Sequence, residues 1–400
     1  MTTRQFIEEH LYDDVRELAL KYRNAEVDMA LALRQIEARQ LLRKKVPLWS
    51  DNPDLLFPAH LSVEQCSSEA TAQYKASLLQ GDTLADLTGG LGVDCYFISQ
   101  RFKKIDYVEL NPELCVLAEN NFNVLGSTIN IQNTSAESFL NNCKPVDCIF
   151  IDPARRDNYG RKTVSIADCT PNVIELQDQL LQKAHRVMVK LSPMLDISKA
   201  LEELRHVSEV YVVAVANECK ELLFIMEQGF EGEPEMTCVN LQTEQSVVKY
   251  RLHTRQQWIA SSLPLLATRR LTDQREVMTV QTYLYEPNAA LMKAGCFGLL
   301  SERFGVQQLH HNSHLYTSDQ LVADFPGRIF VVDGWAPYNK KIKQTLLAGV
   351  EKASITTRNF PLSVADIRKS LKIADGDEVF LFATTIGKDQ KVIISTHKAK

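Results

Sequence analysis

One short stretch constrains this chain more than any other. Leu84-Ala85-Asp86 is an apolar run ending in an acid, Thr88, Gly89, Gly90, Leu91 and Gly92 make a tight loop, and Val93 to Ser99 suits a helix with Val93, Phe97 and Ile98 on one face. Strand, glycine loop and helix in direct succession read as a nucleotide cradle. Glycine serves there because a side chain would hold the backbone away from a ligand, and because some turn positions need positive φ. The loop is not the G-x-G-x-x-G of a dinucleotide site, where a pyrophosphate rests on the helix N-terminus. It reads D-x-T-x-G-x-G, and its acid would repel a pyrophosphate but suit a ligand carrying an amino group or a sulfonium.

The residues around the loop repeat the pattern. Thr83–Leu87, Ile105–Glu109, Ile129–Asn133, Val146–Asp152 and Arg186–Leu191 are strand-like, and Val93–Arg101, Pro112–Asn120 and Asn172–Leu181 are helix-like. Alternation of this kind predicts a parallel sheet with crossover helices. Glu209–Val215 and Glu221–Met226, joined by a short polar connection, predict an antiparallel hairpin at its far edge. The fold class expected is therefore α/β, a Rossmann-like parallel sheet with an antiparallel edge hairpin, flanked by a helical N-terminal region and small C-terminal α+β domains.

Five regions are expected. Residues 1–80 carry apolar residues at helical spacing, with Pro47 closing the first run, Ser62-Val63-Glu64-Gln65 at the spacing of a capping box, and a helix from Ser68 to Leu79. Residues 81–230 form the α/β domain, and 231–284 a β-rich extension. Residues 285–322 form a small segment in which Tyr285-Glu286-Pro287-Asn288 opens a helix running through Leu300. Residues 323–400 form an α+β domain with strands at Arg328–Val332, Ile355–Phe360 and Glu378–Thr384, and helices near Asn339–Val350 and Val364–Leu371.

Composition excludes some functions. No apolar run approaches a membrane span, and Met1 to His10 lacks the regions of a signal peptide, so a cytoplasmic protein is expected. Nine cysteines are scattered without a C-x-x-C pair and read as reduced core residues. His310, His311 and His314 lack a neighbouring cysteine or carboxylate at ligand spacing, so they are expected at the surface and no metal is expected. The formal net charge is −5, yet from Ala323 to Lys400 there are 13 Lys or Arg against 8 Asp or Glu, leaving the rest of the chain at −10. That asymmetry suits a polyanion contact through the C-terminal end.

Ligands of open α/β sheets lie beyond the carboxyl ends of the strands, so the residues there are the candidate site. Glu109, after the second strand, can accept both hydroxyls of a ribose. Ser135 follows the third strand. Asp152 ends the fourth, in Asp152-Pro153-Ala154-Arg155-Arg156, and Arg155, Arg156, Arg161 and Lys162 offer cations to a phosphate-bearing substrate.

The loop resembles motif I of class I S-adenosylmethionine-dependent methyltransferases, with Thr88 in place of the usual first glycine. The resemblance implies S-adenosyl-L-methionine as cofactor, held by Asp86, Thr88, Gly90, Gly92, Glu109, Ser135 and Asp152; Ser135 stands where many such enzymes carry an acid beside adenine. Asp152-Pro153 resembles motif IV, without its second proline and its aromatic residue. Leu61 to Glu69, the block Asp152 to Arg156, Lys190-Leu191-Ser192-Pro193, and Arg358-Asn359-Phe360-Pro361 with Ile367 to Ile373 together resemble a bacterial methyltransferase family with a ferredoxin-like segment and a THUMP-like C-terminal domain.

The resemblance implies an RNA substrate, tRNA or rRNA, bound in part by Arg155, Arg156 and Arg161. Two alternatives stay open: a non-catalytic RNA-binding protein that keeps the fold, and a methyltransferase for a protein or small molecule. Ser192 stands where uridine carbon-5 enzymes carry a cysteine, which argues against that chemistry. Asp152, Lys190 and Glu221 resemble three members of the K-D-K-E set of ribose 2′-O-methyltransferases, with Lys75 a candidate for the first lysine. A base nitrogen positioned by Asp152, or a mere ion pair between Lys190 and Glu221, remain the competing readings.

Overall fold

A computed structural model of the chain describes residues 1–22, 26–58, 60–154, 165–241, 247–252 and 279–399. They divide into two units, residues 1–215 with 220–233, and residues 216–219 with 234–400.

The first unit is built on strands β1 (Thr83–Asp86), β2 (Lys104–Glu109), β3 (Asn130–Asn133), β4 (Val146–Ile151), β5 (Ala184–Leu191), β6 (Val207–Val215) and β7 (Glu218–Glu227). Within the unit they run in the order β3-β2-β1-β4-β5-β7-β6. The first five pair in parallel and β7 runs antiparallel to β5. The β6–β7 hairpin turns at Ala216 and Asn217, both at positive φ (48° and 64°), the mirror-image turn that matches strand twist. Strand order reverses between β1 and β4, which puts the ligand crevice at the carboxyl ends of β1, β2 and β4. The central strands read as unbroken apolar runs because crossover helices cover both faces. Leu84 and Ala85 in β1 and Ile149, Phe150 and Ile151 in β4 are all buried.

Helices α1 (Thr3–Glu9), α2 (Val15–Lys21), α3 (Met29–Leu42), α4 (Pro47–Ser50), α5 (His60–Gln65) and α6 (Glu69–Leu78) precede the sheet. Two local readings are corrected here. Pro47 begins a helix, where its missing N–H costs nothing, rather than closing one. Ser62 lies inside α5; the cap is Ser68, whose extended backbone lets its hydroxyl accept from the Thr71 N–H at 3.3 Å. Arg39, on α3 and buried, donates to the carbonyls of Ser50, Asn52, Pro53 and Leu55 and so shapes the loop that leads to the sheet.

In the second unit β8 (Glu235–Leu241) and β9 (Val247–Leu252) form an antiparallel pair. A seven-stranded sheet follows, made of β10 (Tyr283–Pro287), β11 (Gln307–Gln308), β12 (Tyr316–Ser318), β13 (Gly327–Pro337), β14 (Ser354–Arg358), β15 (Phe380–Ile386) and β16 (Gln390–Lys398), in the order β11-β12-β10-β13-β16-β15-β14. Alternate side chains feed two cores. Phe380, Phe382 and Ile394 pack with Phe330, while Leu381, Ala383 and Ile393 pack with Ile355 and Ile367.

Several readings of this half are corrected. Tyr285 lies on a strand, not in a helix, because β10 pairs with both β12 and β13 and the ring is wholly buried. The helices start later, Ala289–Ala294 capped by Asn288 and then Phe297–Phe304, separated by Gly295 at φ 73°. Asn339–Val350 is a chain of turns. Its backbone bonds span three, four and five residues in no regular run, with Asn339 accepting from the Lys341 N–H. The strand Gln390–Lys398 was not expected at all, although it lies between β13 and β15. His310 is buried rather than at the surface, bonded to Asn359 and paired with Asp389.

Candidate functional site

The glycine loop is held from three sides. Leu87 N–H donates to the Phe150 carbonyl and Gly89 N–H to that of Val108, which tie the loop to the strands on either side of β1. Thr88 Oγ1 accepts from the Asp152 N–H at 2.7 Å, so the residue replacing the usual glycine links β1 to the end of β4. Gly89 is needed for a reason internal to the protein: a Cβ there would lie 2.1 Å from the Tyr107 ring, whose hydroxyl donates to the Gly90 carbonyl at 2.6 Å. Gly90 and Gly92 sit at φ 55° and 87°. A Cβ on Gly90 would meet only the Thr88 carbonyl, at 3.8 Å, so the loop leaves open space beside it.

The three strand-end acids differ in setting. Asp86 is 1% exposed and accepts from the Thr88 N–H at 3.0 Å. Burial, only partly offset by that bond, pushes its carboxyl well above the usual range. Glu109 accepts from the Gly90 N–H at 2.9 Å and the Asn111 N–H at 2.8 Å; each oxygen keeps a lone pair for a ligand hydroxyl. The Asp152 side chain is 37% exposed, the most open of the acids around the two lysines described next. Ser135 caps the helix Ala136–Asn142, accepting from the Ser138 N–H at 3.2 Å, so its hydroxyl serves its own helix. Arg155, Arg156, Arg161 and Lys162 lie outside the described residues.

Behind the loop the structure assembles a network that the sequence only partly discloses. Lys190 Nζ lies 2.5 Å from Asp152 Oδ2, 3.0 Å from Ser67 Oγ and 3.3 Å from Asp94 Oδ2. Lys75, wholly buried, donates to both oxygens of Glu221 at 2.8 and 2.7 Å, to Ser67 Oγ at 3.2 Å, and lies 3.1 Å from Asp94 Oδ1. Ser67 donates to Asp94 at 2.6 Å and accepts from both lysines. The competing reading in which Lys190 and Glu221 pair with each other is corrected: Glu221 is taken by Lys75, and Lys190 by Asp152 and Asp94.

Two ammonium groups against three carboxylates can be buried only because each is paired and hydrogen-bonded. Burial opposes the charge on Lys190, but Asp152, Asp94 and Glu221 outweigh it and hold its ammonium well above the ordinary lysine value. Asp94 is likewise penalised by burial but ends below its ordinary value because Lys75 and Lys190 flank it. Glu221, 4% exposed at its side chain, is raised, burial outweighing its lysine partners. Asp94 and Ser67 were missed in the sequence. Asp94 reads there as a first-turn acid of α7 (Val93–Ser99), and Ser67 as a neighbour of the Ser68 cap. The usable signal was Lys75, a lysine among the buried Thr71, Ala72, Tyr74 and Ala76 of α6, a position that demands a buried acidic partner.

Ser192 Oγ accepts from the Met194 N–H at 3.1 Å. All nine cysteines are free thiols, and six are buried. Among the described residues no helix is long and apolar enough to cross a membrane.

A glycine loop after β1, an acid after β2 and Asp-Pro after β4, on a sheet of this order with an antiparallel edge hairpin, define the class I S-adenosylmethionine-dependent methyltransferase fold. Residues 283–326 match the family model of a ferredoxin-like domain and residues 327–398 that of a THUMP-like domain. The crystal structure of a "putative methyltransferase" from Porphyromonas gingivalis W83 is 33% identical, covering 100% of this chain and 98% of that one at a TM-score of 0.86. The chain belongs to that protein's family, methyltransferase-fold proteins with a THUMP-like C-terminal domain. Two other solved structures resemble only part of the chain. An rRNA methylase from Streptococcus thermophilus is 14% identical over 40% of this chain and 93% of its own, at a TM-score of 0.31. TrmK of M. capricolum, in complex with S-adenosyl-homocysteine, is 11% identical over 44% and 72%, at 0.32. No curated protein matches the sequence.

Proposed function

We propose that this protein transfers a methyl group from S-adenosylmethionine to RNA, tRNA or rRNA being the expected substrate. The carrying observation is the convergence of the open loop at Gly90 with the Glu109 and Asp152 carboxylates at neighbouring strand ends. The donor set fits the cofactor. Glu109 would receive the ribose hydroxyls, the Gly90–Gly92 backbone would approach the nucleoside closely, and Asp86 and Asp152 would supply negative charge toward a sulfonium. When bound, the cofactor supplies an electrophilic methyl group on positively charged sulfur. The chain's part is to hold acceptor and methyl group in line, and such alignment contributes on the order of 7–11 kcal/mol to a transfer of this kind.

RNA as substrate draws support from the THUMP-like domain at 327–398 and from the basic balance of residues 323–400, 13 cations against 8 anions. In this reading residues 81–230 carry the transfer and residues 323–400 hold the polyanion.

Calorimetry with S-adenosylmethionine tests the first half of the reading. Binding to the wild type is expected, weakened by about 1.5–3 kcal/mol in Glu109→Ala through loss of a charge-assisted hydrogen bond. Wild-type affinity in that variant would remove the cofactor assignment. RNA binding by the full chain should fall steeply with salt, because phosphate contacts release counterions; a flat salt response would remove the RNA half.

A further inference from the structure

The arrangement around Lys190 bears on which atom receives the methyl group. An ammonium has three N–H groups and no acceptor. Those of Lys190 meet Asp152, Ser67 and Asp94, and the side chain is only 12% exposed. A lysine base must offer a free lone pair toward the substrate, and here every direction from the nitrogen is occupied by an acceptor that favours the charged form. Lys75 and Glu221 are further withdrawn, wholly buried and 4% exposed, with the two Glu221 oxygens spent on Lys75. That leaves Asp152 as the member of the set with an open carboxylate, 37% exposed and pinned by Lys190 on one oxygen.

A carboxylate is far too weak a base to ionise a sugar hydroxyl. It is well suited to accept a hydrogen bond from an amine N–H and to receive the proton once that nitrogen has become cationic.

We propose that the methyl acceptor is a nucleobase nitrogen that carries hydrogen, its N–H directed at the free oxygen of Asp152, while Lys190 stays an ammonium and acts as a positioning residue. The proposal rests on the methyl-transfer reading above. In the step, the nitrogen lone pair forms the new N–C bond, the methyl carbon–sulfur bond breaks, and its electron pair stays on sulfur as a neutral thioether. The nitrogen then releases its proton to Asp152 and from there to water. Asp94 and Ser67, held in turn by Lys75, fix where Lys190 stands and therefore where Asp152 points.

The test uses the full chain, total RNA from a strain lacking the protein, and S-adenosylmethionine carrying a deuterated methyl group. S-adenosylhomocysteine binding is measured first by calorimetry, and its absence would sink the methyl-transfer reading itself. With binding established, nucleoside mass spectrometry should find the label on a base nitrogen. Label on the ribose oxygen or on carbon, or no label in RNA, overturns the proposal. Asp152→Ala should lose about 100-fold in kcat with S-adenosylhomocysteine binding still measurable by calorimetry; unchanged kcat overturns the assignment. Among the described residues, the charged and titratable groups facing Lys190 are Asp94, Asp152, Glu221, Lys75, Lys45 and Cys66. With Lys190 an ammonium throughout, kcat should be flat from pH 7 to about 9.5, whereas a tenfold rise per pH unit would identify Lys190 as the base.

Discussion

Two charged clusters, one in each unit, solve the burial of charge in opposite ways. In the first unit Lys75 and Lys190 face Asp94, Asp152 and Glu221, an acid surplus of one, and all but Asp152 are nearly sealed from water. In the second, Glu286 is 2% exposed and held by Arg328 and Arg358, a base surplus of one, with both arginine side chains about a third or more exposed. An acid surplus at the mouth of a crevice favours a cationic ligand, and a base surplus with solvent-reaching guanidinium groups favours an anion. Under the proposed function that difference would suit a sulfonium at the first unit and a polyanion at the second. It also separates a rigid network, in which every donor is spent, from one whose arginines keep free N–H groups.

The comparison breaks first at Lys75. Lys75→Met leaves Glu221 buried without its cation and Asp94 with Lys190 alone, so the first unit should lose about 3–5 kcal/mol, measured by denaturant unfolding. Adding Glu221→Gln should recover part of that loss, and strict additivity of the two changes would mean that they are not coupled.

Glu286→Gln, the counterpart in the second unit, should cost less, about 1–2 kcal/mol, because the arginines left behind reach water. It should also steepen the salt dependence of RNA binding by adding net positive charge. A loss as large as that of Lys75→Met would erase the contrast between the clusters.

Asp86 gives an effect that depends on pH. Its folded carboxyl titrates well above the ordinary 3.8 because it is buried. Between the two values the folded state binds more protons than the unfolded one, so wild-type stability falls as pH rises from about 4 through the raised value. Asp86→Asn removes that slope. The variant should match the wild type near pH 4 and exceed it at neutral pH, seen as a higher Tm; equal stability at both pH values would place Asp86 in a solvated setting. The same change should weaken S-adenosylmethionine binding, so stability and affinity move in opposite directions.

The strand-end acids were legible because period and punctuation carry them. Asp86, Glu109 and Asp152 each close a short strand-like run, with a glycine or proline within the next three residues to break it. The second unit was less legible. Tyr285 reads as a helix opener beside Pro287 and Asn288, and only pairing on both sides makes it a central strand. His310 reads as polar surface, yet it is buried with Asn359 and Asp389, 49 and 79 residues away, among its partners.

What the sequence determined by itself, then, was local: the loop, the order of strands and helices in the α/β domain, the edge hairpin, and the acids that close the strands, each set by spacing within a few residues. What only the tertiary structure decided was partnership. Lys75 meets Glu221 across 146 residues, and Lys190 meets Ser67 across 123 and Asp152 across 38. The physical reason is that burying a charge is costly except beside its partner, so the identity of each pair follows from the fold that brings the elements together and not from any pattern along the chain.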